Sequence, residues 1–308
     1  MDNLLQELMK RQRRNSRKEK DAFIKFLQVK LSDFGYECNV LRTKIIKSVH
    51  LETVVEKAPK VILMAHYDTS TVLPFWYEWI IKITGHTRNI LTLVIIYVVF
   101  YLVYYTQNEV LIYAFTLTVA LSLFIPMIFI PNKYSMNDNT SGVMALLLLA
   151  EKLSNNEAIK NKVKIVFTDN EEKMLIGSFQ LRRIWNKSNL NYKSSKVISI
   201  DSVGRGNHAI ISYNIIKTTA REISSLFEKN QIKSKKINMW IMPFSDAYNF
   251  WHLGGVNINM MHKTLIPGGY YIKNIHTFRD KEISKDNIRI VVDSLEEYIK
   301  TCSNIVYK

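Results

Sequence analysis

Short β-type runs alternate with amphipathic helical patterns along most of this chain, and no other feature constrains its fold as strongly. Residues 61–65 form a fully apolar run that is typical of a strand buried on both faces. Residues 21–34 carry apolar side chains at helical spacing, and Gly35 ends the pattern. Strands that alternate with helices predict an α/β fold in which a mixed, mainly parallel β-sheet is flanked by helices.

The same criteria assign the remaining elements. The predicted strands cover residues 37–46, 49–55, 61–65, 162–167, 197–200, 209–212, 237–241 and 256–261. The predicted helices cover residues 21–34, 140–153, 175–184, 218–230, 246–253 and 284–300. Residues 1–20 have leucines at helical spacing followed by a basic run, which predicts a basic N-terminal helix that is either solvated or lies on an anionic membrane.

Residues 71–135 interrupt this alternation. Within them, residues 90–105 and 110–130 form two runs without a charged side chain, close to the ~20 residues that a membrane-spanning helix needs. The runs predict a transmembrane helical hairpin inserted between two parts, 1–70 and 136–308, of one discontinuous domain. A pair of buried core helices is the alternative interpretation.

The flanking charges predict an orientation for this hairpin. Lys82, Arg88 and Lys133 flank the two runs, whereas the loop between them has no Lys or Arg. Because positive charge is enriched on the cytoplasmic side, we expect a multi-pass protein of the cell membrane, with two spans and the globular domain in the cytoplasm.

The net charge of the whole chain is +15, which raises the question of an anionic partner. We find no helix-turn-helix, zinc finger or aromatic stacking motif, so the sequence does not favour nucleic acid. A domain held beside an anionic lipid leaflet accounts better for the basic balance. The lipid bilayer is therefore an expected partner.

Side chains that bind metals follow several of the predicted strands. The chain has only two cysteines, which excludes a zinc site built from three or four thiolates, so any metal must be bound mainly by histidines and carboxylates. The candidates are His66, Asp68, Asp138, Glu171, Glu172, Asp201 and His276. Taken singly, each has an ordinary alternative as a cap, a turn residue or a solvated charge. Together they offer the nitrogen and oxygen ligands that two adjacent divalent ions require.

In their order along the chain, these residues resemble peptidase family M28, a family of co-catalytic zinc peptidases with a zinc exopeptidase fold. The resemblance implies two Zn²⁺ ions, although ligand type alone does not separate Zn²⁺ from Co²⁺ or Mn²⁺. It assigns His66 and Asp201 to one metal, Glu172 and His276 to the other, and Asp138 to both. It also makes Glu171 the general base and Asp68 the carboxylate that orients His66. Asp246, Tyr270 and Tyr271 are further candidates for contacting the substrate.

One departure from the family pattern is the long interval between His66 and Asp138, which contains the predicted hairpin. We therefore expect a membrane-anchored dinuclear zinc exopeptidase, an aminopeptidase by preference, that hydrolyses hydrophobic or membrane-associated peptides near the cytoplasmic surface. Acyl transfer of the glutaminyl cyclase type is the alternative on the same fold. A non-catalytic membrane scaffold with a peptidase-like fold is the third, and the complete ligand set weighs against it.

Overall fold

A mixed β-sheet runs through the part of the chain that the computed structural model describes, which is residues 1–44, 46–187, 192–239 and 245–304. Its strands are β1 (Cys38–Arg42), β2 (Val49–Thr53), β3 (Val61–His66), β4 (Val163–Thr168), β5 (Lys196–Ile200), β6 (His208–Tyr213), β7 (Lys233–Asn238), β8 (Val256–Lys263) and β9 (Tyr270–Tyr271). Their order is β1-β2-β4-β3-β5-β8-β6-β7, with β9 paired to β8.

The middle of the sheet is parallel. Strand β3 pairs in parallel with β4 and β5, and β5 pairs in parallel with β8. Antiparallel pairing occurs toward the edges, between β1 and β2, β2 and β4, and β6 and β8. A central parallel sheet has both faces covered, and every residue of β3 and β4 is buried. The predicted α/β fold with a mixed, mainly parallel sheet is confirmed.

Helices cover both faces of this sheet. They are α1 (Asp2–Met9), α2 (Arg17–Asp33), α3 (Phe75–Thr84), α4 (Asn89–Tyr105), α5 (Glu109–Phe129), α6 (Gly142–Ser154), α7 (Glu157–Lys160), α8 (Ile176–Trp185), α9 (Thr218–Lys229) and α10 (Lys285–Asn304). Successive side chains of β3 point to opposite faces of the sheet, so the strand contributes to two hydrophobic clusters. Leu63 belongs to the larger cluster, with residues of α2, α6 and α10, whereas Ile62 and Met64 belong to a smaller cluster with Trp185 of α8.

Element boundaries differ from the sequence prediction where a side chain or an edge decides them. Helix α2 begins at Arg17 rather than at 21 because Ser16 and Glu19 form a capping box. Strand β7 begins at Lys233 rather than at 237, as a lysine-rich edge strand whose hydrophobic pattern is weak. Of the predicted strands 37–46 and 237–241, Ile45 and residues 240–241 lie outside the described residues.

Residues 71–135 fold as α3, α4 and α5, with α4 and α5 forming an antiparallel pair. The rings of Phe100 and Phe115 meet edge to face at 5.3 Å between centroids. A hydrogen bond of 2.8 Å joins the hydroxyls of Thr84 and Thr92. The indole of Trp76 in α3 donates to the hydroxyl of Ser122 in α5 at 3.2 Å. An aromatic contact therefore joins the two helices of the hairpin, and hydrogen bonds join each of them to α3.

The transmembrane prediction for this hairpin is wrong. Among the described residues, no helix combines the length and the apolar character needed to cross a membrane. The expectation of a two-span protein of the cell membrane with a cytoplasmic catalytic domain is wrong with it, and the described residues give no support for the bilayer as a partner. A run of uncharged residues shows only that the side chains lack charge. It does not show which part of the protein these helices pack against.

Candidate metal centre

Three neighbouring parallel strands deliver acidic and imidazole side chains to one edge of the sheet. Strand β3 ends at His66, which lies opposite Thr168 at the end of β4. Strand β5 ends at Ile200, directly before Asp201. Sites in open α/β sheets form at these carboxyl ends. The fold therefore places His66, Asp201 and the residues that follow β4 next to one another.

The carboxylate of Asp138 lies between two histidines. Its Oδ1 is 3.2 Å from Nε2 of His66, and its Oδ2 is 2.9 Å from Nε2 of His276. Asp201 Oδ1 is 3.6 Å from the His66 nitrogen, and Glu172 Oε2 is 3.2 Å from the His276 nitrogen. Each oxygen of Asp138 thus faces a separate pair of one histidine and one carboxylate.

Two ligand groups share Asp138. His66, Asp138 and Asp201 form one, and Asp138, Glu172 and His276 form the other, with the ligand atoms of each group within 4.8 Å of one another. Burial alone would lower the pKa of both imidazoles, but the surrounding carboxylates outweigh it and raise the pKa of His66 and His276 well above the ordinary value. The Oε1 atom of Glu172 is buried and without a hydrogen-bond partner among the described residues. Crowded carboxylates, an orphaned buried oxygen and the absence of sulfur fit a divalent cation such as zinc.

Asp68 connects the first histidine to the two glutamates. Its Oδ1 is 3.5 Å from Nδ1 of His66. The same carboxylate accepts the backbone N–H groups of Glu171 and Glu172, each at 3.2 Å. Asp68 therefore holds both the imidazole ring of His66 and the start of the loop that carries Glu171 and Glu172, which is called the glutamate loop. The backbone contacts with Glu171 and Glu172 are not foreseeable from the spacing of the His-x-Asp motif.

A second buried carboxylate, Asp280, holds the backbone around Asp138. Its Oδ1 accepts the N–H of Asn137 at 2.8 Å, and its Oδ2 accepts the N–H of Asp138 at 3.0 Å. Burial raises the pKa of Asp280 to about 7. The next side chain, Asn139, accepts the N–H of Ser202 at 3.1 Å and donates to the carbonyl of Ile200 at 3.0 Å. The segments that carry Asp138 and Asp201 are thereby tied together.

Glu171 lies beside both ligand groups. Its Oε2 is 4.0 Å from Nε2 of His66, and burial raises its pKa well above the ordinary value, with neighbouring carboxylates adding to the effect. Glu172 shows the same influence of burial, which raises its pKa to about 7. Perturbed carboxyl groups in a cleft are typical of functional sites.

These side chains form the base of a cavity of about 540 Å³. The other walls are mostly apolar, with amides on one side. They are formed by Met174, Leu175, Tyr248, Asn249, Asn257, Asn259, Met261, Ile272 and Ile275. Asn257, Asn259 and Met261 alternate along β8, so they share one face of the sheet. Sequence reasoning named none of these wall residues, because no local pattern distinguishes them from core residues.

The predicted substrate-contacting residues lie in different places. Asp246 is buried, and its carboxylate accepts a hydrogen bond from the hydroxyl of Thr168 at the end of β4. Burial raises its pKa to about 6. The rings of Tyr270 and Tyr271 pack against His208 and His262, and the cavity is lined by Ile272 instead. Their role in substrate binding stays a prediction.

The segment that contains α3, α4 and α5 starts and ends beside this cavity. Thr71 and Pro131 pair as an isolated bridge, and the N–H of Leu73 donates to the carbonyl of His276 at 2.8 Å. The backbone of His276 is therefore anchored to the first residues of the segment.

The fold is that of zinc-dependent exopeptidases. The chain is similar to a glutaminyl cyclase from Bacteroides thetaiotaomicron bound to N-acetylhistamine (16% identity, 98% of this chain and 96% of that chain, TM-score 0.66). It is similar to a leucine aminopeptidase precursor from the same organism (16% identity, 98% of this chain and 95% of that chain, TM-score 0.65). It is also similar to a Zn-dependent exopeptidase from Parabacteroides distasonis (13% identity, 96% of this chain and 95% of that chain, TM-score 0.62). At such identities the likeness shows the fold alone.

Residues 109–299, more than half of the chain, match the model of peptidase family M28. The chain belongs to peptidase family M28, and that part of the sequence prediction is confirmed. A search among curated proteins finds no match. His66 and Asp68 precede the matched residues, so their place in the site depends on the geometry described above.

Proposed function

We propose that this protein is a dinuclear zinc exopeptidase that removes residues from the amino terminus of peptides. The observation that carries the proposal is the position of Asp138, whose two oxygens each face one histidine and one further carboxylate. His66 and Asp201 would hold one Zn²⁺, Glu172 and His276 the other, and Asp138 both. Membership of family M28 supports the peptidase class.

When bound, such a pair of ions lowers the pKa of a water molecule and polarises the scissile carbonyl. Glu171 would accept the proton of that water at Oε2 and transfer it to the leaving amine, which requires a carboxylate whose pKa lies above its usual range. Asp68 would keep His66 and the glutamate loop in register during this transfer.

The cavity walls support an apolar side chain on the substrate. Met174, Leu175, Met261, Ile272 and Ile275 provide most of the surface opposite the carboxylates. Burying an aliphatic side chain there would stabilise binding by about 1.5 to 3 kcal/mol. We therefore propose peptides with an apolar amino-terminal residue as substrates.

Glutaminyl cyclisation is the second candidate, because solved glutaminyl cyclases share the fold as closely as the aminopeptidase precursor does. The products separate the two reactions by mass. Cyclisation of an amino-terminal glutamine releases ammonia and shortens no peptide, whereas hydrolysis adds water and releases an amino acid. Two groups of possible metal ligands that share Asp138 favour hydrolysis, because a water molecule between two metal ions is the nucleophile that hydrolysis requires.

The test compares wild type with Glu171→Gln on peptides that begin with leucine or glutamine, with zinc content measured in parallel. We expect the variant to retain two zinc ions and to lose about 10²- to 10⁴-fold in the rate of hydrolysis. Glu282→Gln is the matched control, because Glu282 is exposed and 3.4 Å from Arg205. Retained turnover in Glu171→Gln would contradict the role of Glu171. Ammonia release from the glutamine peptide without cleavage of the leucine peptide would favour cyclisation.

A further inference from the structure

One short segment that leads into the first turn of α2 contacts three of the loops that carry the proposed zinc ligands. This segment, residues 12–20, is called the N-terminal strap. It precedes the part of the chain that matches the family model. It contacts Thr69 after His66, Ser135 and Thr140 on either side of Asp138, and Asp169 and Asn170 before Glu171.

Arg14 makes most of these contacts and is completely buried. Its Nη2 donates to the hydroxyls of Ser135 and Thr140, each at 2.9 Å, and its backbone N–H donates to the hydroxyl of Thr69 at 3.0 Å. The guanidinium lies 4.6 Å from the centre of the Phe23 ring. Its Nη1 donates to the carbonyl of Arg11 at 3.1 Å. Among the described residues it forms no ion pair, so its position is determined by neutral acceptors, two hydroxyls and one carbonyl.

The hydroxyls themselves are held by the strap. Ser135 donates to the carbonyl of Gln12 at 2.8 Å while accepting from Arg14. Thr69 donates to Oδ1 of Asn15 at 2.8 Å while accepting from the backbone of Arg14. Each hydroxyl therefore uses its single donor and one acceptor site on the strap. Such a closed arrangement leaves little rotational freedom on either side.

Lys20 makes the equivalent contact with the glutamate loop. Its buried Nζ pairs with the carboxylate of Asp169 and donates to Oδ1 of Asn170 at 2.8 Å. The other oxygen of Asp169 accepts the backbone N–H of Val49 at 2.9 Å. Asn170 has a left-handed φ of 56°, a conformation that needs support from its surroundings. The contact fixes the backbone immediately before Glu171 and Glu172.

We propose that the N-terminal strap preorganises the zinc site, with Arg14 and Lys20 as positioning residues that set the loops bearing His66, Asp138, Glu171 and Glu172. The inference rests on the proposed zinc function. Neither side chain is assigned a contact with the metals or the substrate. Both act through the backbone and hydroxyl groups beside the ligands, and outer partners of this kind commonly change metal affinity about 10- to 100-fold.

Charge and geometry give opposite expectations for Arg14. A cation close to Asp68 and Asp138 repels a metal ion, so loss of the charge alone would strengthen zinc binding. Loss of the side-chain hydrogen bonds to Ser135 and Thr140 frees the segment that bears Asp138, which weakens zinc binding because that segment must then be ordered by the metal. Burial lowers the pKa of Arg14 only to about 10, so the side chain is charged at neutral pH and the comparison is valid there.

The experiment measures zinc affinity by competition with a chelator, using metal-free protein and Zn²⁺ alone, together with unfolding in urea. The variants are Arg14→Met, Arg14→Lys, Lys20→Met and Thr140→Val, which removes one acceptor while leaving the Arg14 charge in place. Arg17→Met is the matched control, because Arg17 is exposed and lies between the two positioning residues. The measurements use conditions under which each variant is fully folded.

We expect zinc affinity to fall about 10- to 100-fold in Arg14→Met and Lys20→Met, to fall in Arg14→Lys as well, and to be unchanged in Arg17→Met. Tighter zinc binding in Arg14→Met, or unchanged affinity with lower resistance to urea, would overturn the proposal. If Arg14→Met does not fold, Thr140→Val decides, since unchanged zinc affinity there counts against it. A wild-type protein that binds no zinc would refute the proposed function itself, which keeps the two failures distinct.

Discussion

Gly177 is the position at which one added carbon should disturb the proposed site most. A Cβ at this residue would lie 1.6 Å from the carbonyl oxygen of Asp169 and 3.2 Å from the ring of His50. The backbone is so close because α8 begins at Ile176 directly against the end of β4. Any side chain at 177 must therefore push these two elements apart.

The size of the displacement follows from the contact distance. Non-bonded heavy atoms approach to about 3.5 Å, so Gly177→Ala requires a separation of about 2 Å. Asp169 precedes Glu171 by two residues, and a misplacement of about 1 Å at a reacting group costs roughly 10²-fold in rate. Overpacking of a core costs about 1 to 3 kcal/mol, and we expect Gly177→Ala to reach at least the upper value.

The assay combines the free energy of unfolding in urea, bound zinc and the hydrolysis rate. Gly35→Ala is the control, because its φ of +75° is unfavourable for alanine, so it carries a backbone penalty, whereas its Cβ would meet only Nζ of Lys160 at 3.5 Å. We expect that control to lose about 1 to 2 kcal/mol and to keep its zinc. If Gly177→Ala bound zinc like wild type and lost no more stability than Gly35→Ala, the close contact with Asp169 would not be the constraint described.

Two further predictions concern buried titratable groups. Burial lowers the pKa of His50 to about 4 in the folded protein, whereas His50 in the unfolded chain has a pKa near 6.5. As pH falls, the unfolded chain therefore takes up this proton first, and about 2 to 3 kcal/mol of the free energy of unfolding should be lost between pH 7 and pH 4.5. His50→Asn keeps an acceptor for the Asp169 N–H and should flatten this dependence in urea titrations, and parallel curves would refute it. Lys164 is buried, and its Nζ lies 2.9 Å from the carboxylate of Glu52, which also accepts a hydrogen bond from the indole of Trp185. Because Lys164→Met leaves the Glu52 charge buried without its partner, it should lower the free energy of unfolding by about 3 to 5 kcal/mol. Adding Glu52→Gln should recover much of that loss, and equal losses in the single and double variants would contradict the argument.

Local sequence patterns predicted most elements close to their observed positions. Periodicity located α9 and β4 to within one residue of their bounds, since burial of one face or of both faces leaves a direct trace in residue order. Cap chemistry was harder, and α2 begins earlier than periodicity indicated because Ser16 and Glu19 satisfy its first N–H groups. The sequence shows the apolar character of α4 and α5, but it does not predict which helix they pack against.

For the proposed site, the sequence could name side chains of the right chemistry and could not arrange them. His66, Asp138 and His276 were recognised from residue type and order. Their mutual distances depend on the pairing of β3 with β4 and on the loop held by Asp280. Tyr248 and Asn257 line the cavity although no motif marks them.

By itself, the sequence determined the α/β class, the family resemblance and the exclusion of a zinc site built from three or four thiolates, because residue order and composition record local backbone preference and donor type. Only the tertiary structure decided that Asp138 faces both histidines, that Asp68 holds the glutamate loop and that Arg14 ties the segment after His66 to the segment around Asp138. Such contacts join residues that are far apart in the sequence: Arg14 and Thr69 are 55 positions apart, and Asp138 and His276 are 138 positions apart. Their geometry is set by the packing of strands and helices, which local patterns do not specify.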